Sequence, residues 1–168
     1  SLAARGVKRV SGRLISGANT FPDAELGAGW AWDDLDEGYS APIDELLFNE
    51  GFARITVYGG ARPGDSVRVR TAPATRVPRV DARGVTTVRM CCMERSRVTV
   101  AGDVRGRRPV AVLSGTVRTN DSVVVRTALR HPNAAFLDAL EEALAARGIR
   151  VTGGVEADSV ADTTGLCV

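Results

Sequence analysis

Hydrophobic and polar residues alternate along much of the chain between residues 54 and 127. Ile55 and Val57 alternate with polar neighbours, and later runs repeat the pattern between glycine, proline and Asn120-Asp121 breaks. A period of two is typical of half-buried β-strands. The pattern predicts a small antiparallel β domain over 54–127. Its expected strands are 54–57, 67–70, 85–90, 97–101, 109–113, 116–118 and 122–127.

A helical period replaces this alternation at residues 133–147. Pro132 stands at the start of the segment and Gly148 just past its end, as helix boundaries favour. Its expected apolar face follows the i, i+3, i+4 spacing of an amphipathic helix. The residues of that face are Phe136, Ala139, Leu140, Ala143 and Leu144.

The remaining segments complete a mostly β (α+β) fold. Residues 7–16 are expected to form a strand pair or one bent strand, with Gly12 at the bend. Residues 41–48 are expected to form a short helix or an extended segment, and Ile149 begins another strand. We therefore expect two interleaved domains. One is discontinuous, comprising 1–53 and 128–168, and it receives the 54–127 β domain as an insertion.

A short internal repeat suggests how the chain begins. The run from Leu144 to Ile149 matches the run from Leu2 to Val7 almost residue for residue. Since the second run ends a predicted helix, the first is expected to be the last helical turn of a longer segment. An isolated turn does not nucleate by itself. The repeat thus predicts a chain cut from a longer protein, with a chance match of Ala- and Arg-rich composition as the alternative.

Composition and charge exclude several kinds of chemistry. The 168 residues carry 22 basic and 20 acidic side chains, for a net charge of +2, and Lys8 is the single lysine. The residues around Lys8 do not match a P-loop, a Ser-x-x-Lys motif or a Lys-Thr-Gly motif, so all three motifs are absent. No apolar run is long enough for a membrane span. The arginines are balanced by acids and have no aromatic stacking platform, so a nucleic-acid partner is not expected even at Arg105, Arg107 and Arg108.

The metal and thiol signals are weak. His131 is the only histidine, and it precedes a proline where a capping or solvated imidazole is common. Cys91 and Cys92 are adjacent, which strains tetrahedral zinc ligation, and they are interpreted as small strand residues. The odd count argues against a disulfide framework, although one bond to Cys167 stays open. We expect neither a metal nor a cofactor.

The most unusual stretch runs from residue 30 to residue 42. It holds both tryptophans, Trp30 and Trp32, together with four acids, and Tyr39 follows. An acid beside an aromatic ring suits recognition of an amine. Local physics favours a solvated acidic turn anchored by the tryptophans. A Ca²⁺ loop lacks the required spacing, and a glycosidase carboxylate pair would need a separation that the sequence does not give.

A family resemblance lies in this stretch, in Trp30-Ala31-Trp32-Asp33-Asp34 followed by Tyr39-Ser40-Ala41-Pro42. It resembles the signature of class C low-molecular-mass penicillin-binding proteins, which are serine D-alanyl-D-alanine carboxypeptidases and endopeptidases. Further matches are the strand from Gly6 to Leu14, the Pro63-Gly64-Asp65 turn and the segment from Gly148 to Gly153. The middle of the chain, about residues 70–128, shares only the general character of the family's sequences and none of their specific motifs.

The resemblance implies specific roles for this loop. Asp34 and Tyr39 would form the wall of a pocket for the amine and carboxylate end of a diamino acid in the peptidoglycan stem peptide. The alternative is that Asp34 caps a turn and Tyr39 packs in the core. Trp30, Trp32, Asp33 and Pro42 would form the structural part of the motif.

The departures from the family shape the functional hypothesis. Its Ser-x-x-Lys, Ser-x-Asn and Lys-Thr-Gly motifs are all missing here. The chain is therefore expected to be a non-catalytic accessory region, partnered by the transpeptidase core of the same parent and acting outside the cytoplasm, in the periplasm or beyond. The alternative is a stand-alone binding or spacer module of the cell envelope.

Overall fold

The computed structural model describes residues 2–17, 29–31, 34–89, 95–103 and 110–156. The described chain is mostly β with one α-helix, which confirms the predicted fold class. Predictions for the three cysteines and for the patch at Arg105, Arg107 and Arg108 lie outside the described residues. The strands are β1 (Arg9–Val10), β2 (Leu14–Ile15), β3 (Phe52–Tyr58), β4 (Arg68–Ala72), β5 (Arg79–Val88), β6 (Arg97–Asp103), β7 (Val110–Arg118), β8 (Ser122–Ala128), β9 (Arg150–Val151) and β10 (Val155–Glu156), and α1 spans Pro132–Ala145.

Two three-stranded sheets provide the main core. One is antiparallel with strand order β4-β3-β8, and the other has the order β5-β7-β6. Alternate residues of β3 are buried as the period-two pattern predicts, with Ile55 and Val57 fully inaccessible. Burying aliphatic side chains of this size contributes about 1.5–3 kcal/mol each. They pack with side chains of the second sheet, namely Val85, Val98, Ala111, Leu113 and Val117.

The second sheet departs from the expected antiparallel pairing. Strand β6 is antiparallel to β7, but β5 runs parallel to β7, so β7 separates two strands that are consecutive in sequence. Strand β7 is also continuous where the sequence suggested a break. Gly115 lies inside it, and a Cβ there would come within 2.2 Å of the Arg97 carbonyl oxygen. Alternation identifies the buried face of a strand, but it carries no information about partner or direction.

The predicted helix is present, but its buried face is different. Leu144 of the expected face is buried, but Leu140 is 36% exposed, and Leu137, which lies outside that face, is buried. The expected face was therefore wrong in part. The helix contacts β9, β10 and β2, and Ala135 also packs with Ala53 and the residues around it. Because α1 has neighbouring elements on more than one side, its buried residues do not lie on a single face of the helix. Residues 41–48 form neither a helix nor a strand.

The internal repeat recurs in the geometry. After α1, Gly148 adopts a left-handed conformation with φ +73°, and the Ile149 amide donates to the Leu144 carbonyl at 3.0 Å. After the short 3-10 turn Ala3–Arg5, Gly6 has φ +80° and the Val7 amide donates to the Leu2 carbonyl at 3.2 Å. Both are helix-terminating motifs of the Schellman type. The strands that follow, β1 and β9, pair with each other in parallel.

Asp121 joins the two sheets at one corner. Its Oδ2 accepts hydrogen bonds from the Ser96 hydroxyl at 2.5 Å and from Arg118 Nε at 3.1 Å. Its Oδ1 accepts the Ser122 amide at 2.8 Å, and its carbonyl accepts the Gly59 amide at 3.0 Å. One residue therefore holds together the ends of β3, β6, β7 and β8.

We predict that Asp121→Asn lowers the free energy of unfolding by about 2 kcal/mol at neutral pH, because several donors share its charge. The Ser96 hydroxyl, then the Ser122 amide and Arg118, hold the pKa of the Asp121 carboxyl below its ordinary value. A lowered carboxyl pKa stabilises the fold above the unfolded pKa, and this contribution is lost as the pH falls through the folded pKa. Urea midpoints of the two proteins should therefore converge in acid; a constant gap would contradict the assignment.

Candidate functional site

The loop from residue 34 to residue 40 is built from successive tight turns. The Glu37 amide donates to the Asp34 carbonyl at 3.0 Å, and the Ser40 amide donates to the Glu37 carbonyl at 3.0 Å. The Ser40 hydroxyl also donates to the Asp34 carbonyl. Leu35 and Ser40 are buried, at 7% and 1% exposure. These two buried residues and the turn hydrogen bonds anchor the loop.

Asp34 and Tyr39 are brought together on this loop. The Tyr39 hydroxyl donates to Asp34 Oδ1 at 2.8 Å, and the Trp30 ring stacks on the Tyr39 ring with centroids 5.9 Å apart. Tyr39 is 62% exposed and Trp30 41%, so neither ring is buried in the core. The result is a half-buried aspartate beside a two-ring apolar surface. Whether it binds a ligand stays a prediction.

Of the other residues of the motif, Pro42 is described by the structure, whereas Trp32 and Asp33 are not. Pro42 is buried, in keeping with a structural role. Trp32 and Asp33 lie outside the described residues. His131 is exposed at the start of α1 and its side chain makes no capping hydrogen bond. Within the described ranges, no three potential metal ligands cluster, and no helix is long and apolar enough to cross a membrane.

Asp36 fastens the loop to the end of β8 and the segment after it. Its Oδ1 pairs with Arg130 at 2.9 Å, and its carbonyl accepts the Ala128 amide at 3.3 Å. Gly102 on β6 leaves room for the carboxylate, since a Cβ there would lie 2.5 Å from Asp36 Oδ1. Sequence reasoning missed this pair, because its residues lie 94 positions apart. No local pattern connects them.

A groove of about 1200 Å³ opens beside the loop. Tyr39 lines it together with Phe52, Arg54, Thr99, Val124 and Arg126. The exposed acids Glu37 and Glu50 also line it, so the groove offers groups of both charges. Sequence reasoning missed Arg54 and Arg126, which belong to the ordinary outward positions of alternating strands.

Comparison with known proteins now identifies the family. The model of the D-Ala-D-Ala carboxypeptidase 3 (S13) family matches residues 1–165. The chain belongs to this family. The resemblance seen in the tryptophan motif, to low-mass penicillin-binding proteins, is confirmed.

Solved structures share the fold of this S13 chain. Penicillin binding protein 4 (dacB) from Haemophilus influenzae superposes with a TM-score of 0.69 at 18% identity, covering 94% of this chain and 34% of that one. The same protein complexed with a β-lactam gives a TM-score of 0.58 at 14% identity, with 94% and 31% coverage. The chain therefore spans about a third of the length of the chains in these two structures.

We predict that Asp36→Ala destabilises the chain by about 1–3 kcal/mol, because Arg130 is left largely buried without its partner. Chemical denaturation measures this change. Glu141→Ala is the matched control: it removes a carboxylate from the surface Arg76–Glu141 pair, whose oxygen and nitrogen are 3.4 Å apart. It should lose less than about 1 kcal/mol. Equal losses for the two variants would contradict an anchoring role for Asp36.

Proposed function

We propose that this chain is the accessory, non-catalytic region of a serine-type D-Ala-D-Ala carboxypeptidase or endopeptidase that acts in peptidoglycan remodelling. The observation that carries the proposal is the Asp34–Tyr39 pair, whose tyrosine lines the groove, in a chain of the S13 family without the Ser-x-x-Lys, Ser-x-Asn and Lys-Thr-Gly motifs. The nucleophile would lie elsewhere in the longer parent. Acyl transfer and hydrolysis would occur there, next to this surface.

The pair would bind the amine of a diamino acid in the stem peptide. Tyr39 occupies Oδ1 of Asp34, and no hydrogen bond from the described residues reaches Oδ2. An ammonium group would donate a hydrogen bond to that oxygen, and charge-assisted bonds of this kind are about twice as strong as neutral ones. The stacked rings of Trp30 and Tyr39 would cover the methylene chain that carries the amine. Tyr39 would also fix the carboxylate in place.

The parent would have to be exported, since peptidoglycan lies outside the cytoplasm. Its transpeptidase core would be the first partner of this region. Exposed apolar side chains close to the loop in sequence suit such a contact: Ile43 is 61% exposed and Leu47 52%. A stand-alone envelope binding module is the second candidate, and it is favoured by a site loop that folds without any catalytic motif.

Labelling with a fluorescent penicillin separates the two candidates. We expect no covalent labelling of the 168-residue chain, because it has no Ser-x-x-Lys nucleophile, and labelling of the longer parent at an upstream serine. Gel fluorescence after denaturation measures both. Labelling of the short chain would overturn the accessory role. An unlabelled parent would favour the stand-alone module.

In the parent, we predict that Asp34→Asn lowers kcat/KM by about tenfold or more for a peptide with a free amine on its diamino residue. The loss should largely disappear for the same peptide acetylated at that amine. Asp44→Asn is the matched control, since the Asp44 carboxylate accepts the Glu45 amide and lies outside the groove lining. Equal losses on the free and acetylated peptides would contradict an amine-binding role.

A further inference from the structure

The outer face of the β4-β3-β8 sheet is strongly basic. Its core-facing residues alternate with outward ones, and the outward positions of the three strands contain no acid. Four of them are arginines, although basic and acidic residues nearly balance over the whole chain. We call these four the arginine stripe: Arg126, Arg54, Arg70 and Arg68.

The strand register places the stripe in a continuous diagonal row. Arg126 lies directly opposite Arg54, so their Cβ atoms are about 5 Å apart. Arg54 pairs with Ala72, which makes Arg70 its diagonal neighbour at about 7–8 Å. Arg68 follows Arg70 on the same face of β4 at about 7 Å. The row crosses all three strands and extends roughly 20 Å.

The charges of the stripe are not neutralised within the described part of the chain. None of its arginines belongs to an ion pair there, and each is exposed. Two are instead positioned over rings: Arg68 lies 5.5 Å from the Tyr58 centroid and Arg126 lies 5.9 Å from that of Phe52. A guanidinium stacked on a ring keeps its in-plane N–H donors free for an oxyanion. Arg68 and Arg126 therefore present positioned donors to solvent.

The arrangement works against stability, because like charges directly opposite across two strands are destabilising. Arg54 and Arg126 are such a pair. A threonine or valine at either position would be at least as compatible with a β-strand. Arg126 stacks on Phe52, but Arg54 has no such ring contact among the described residues, so the repulsion between the two arginines points to a ligand that supplies negative charge.

The stripe begins in the groove. Arg54 and Arg126 line it with Tyr39, and the row then leads away across the sheet to β4. An elongated anion that enters the groove would therefore continue along the stripe. An open row of guanidinium groups suits a polymer with repeated oxyanions. A single small anion would instead be held in an enclosed pocket.

We propose that the arginine stripe binds carboxylates of successive peptidoglycan stem peptides and so holds the polymeric substrate beside the groove. This inference rests on the proposed function, which makes peptidoglycan the substrate of the parent. Guanidinium groups bind carboxylates through two parallel hydrogen bonds, and charges along a polymer add their contributions. The acids Glu37 and Glu50 in the groove would face the amine groups of the same peptides.

Co-sedimentation of the 168-residue chain with purified insoluble peptidoglycan tests the proposal. The double variant Arg54→Glu, Arg70→Glu should bind at least about tenfold more weakly, and binding of the unaltered chain should weaken with added salt. The matched control, Arg9→Glu with Arg79→Glu, changes net charge equally on exposed strand residues outside the stripe. It should retain binding within about twofold. Equal losses for the two double variants would overturn the proposal. A second double variant, Arg54→Gln with Arg70→Gln, repeats the test without reversing charge and should also weaken binding.

Two treatments of the peptidoglycan identify the ligand group. Amidation of its carboxylates with a carbodiimide should abolish binding, whereas removal of attached phosphate polymers should leave it unchanged. Loss of binding only after phosphate removal, or equal binding to a DNA duplex, would overturn the assignment to stem-peptide carboxylates. Penicillin labelling of the parent does not depend on co-sedimentation with peptidoglycan. A failure of the proposed function would therefore be distinguished from a failure of the arginine stripe to bind.

Discussion

The corner at Asp121 is the contact on which the two sheets depend. Strand β7 belongs to one sheet and β8 to the other, and the turn between them contains this residue. Its carboxylate and carbonyl accept donors from Ser96, Arg118, Ser122 and Gly59. Aliphatic burial between the sheets is not directional, so it does not by itself fix how one sheet lies on the other. The directional bonds at the corner supply that constraint.

The candidate site inherits its geometry from this frame. Its loop has short turns and two buried side chains of its own, but its position comes from β8 and the segment after it, through Thr127, Ala128 and Arg130. Strand β8 also supplies Arg126 to the groove. A shift of β8 would therefore move the loop and the groove floor together. The half-buried Asp34 is held in place because its support lies in the loop backbone and in β8.

Features with a local cause could be predicted from the sequence, and features with a distant cause could not. Alternation identified the inward face of β3, and Gly148 marked the end of α1, since each depends on neighbouring residues. The parallel pairing of β5 with β7 and the Asp36–Arg130 ion pair depend on chain segments far apart. The Asp34–Tyr39 contact lies between: five residues separate the pair, and the motif placed them on one loop, but exposure of the tyrosine became clear only in three dimensions.

The arginines illustrate the same distinction in chemical terms. Counted along the chain, they are balanced by acids and do not suggest a polyanionic partner. Asp36, Asp81, Asp121 and Glu142 each pair with arginines outside the stripe, so these acids do not neutralise it. Arginines are the only charged residues at the outward positions of the β4-β3-β8 sheet. Net charge averages over the whole surface, whereas recognition depends on the charge within about one Debye length, roughly 8–10 Å, of the bound group. A nearly neutral chain can thus present a strongly basic face, and strand register is what creates it.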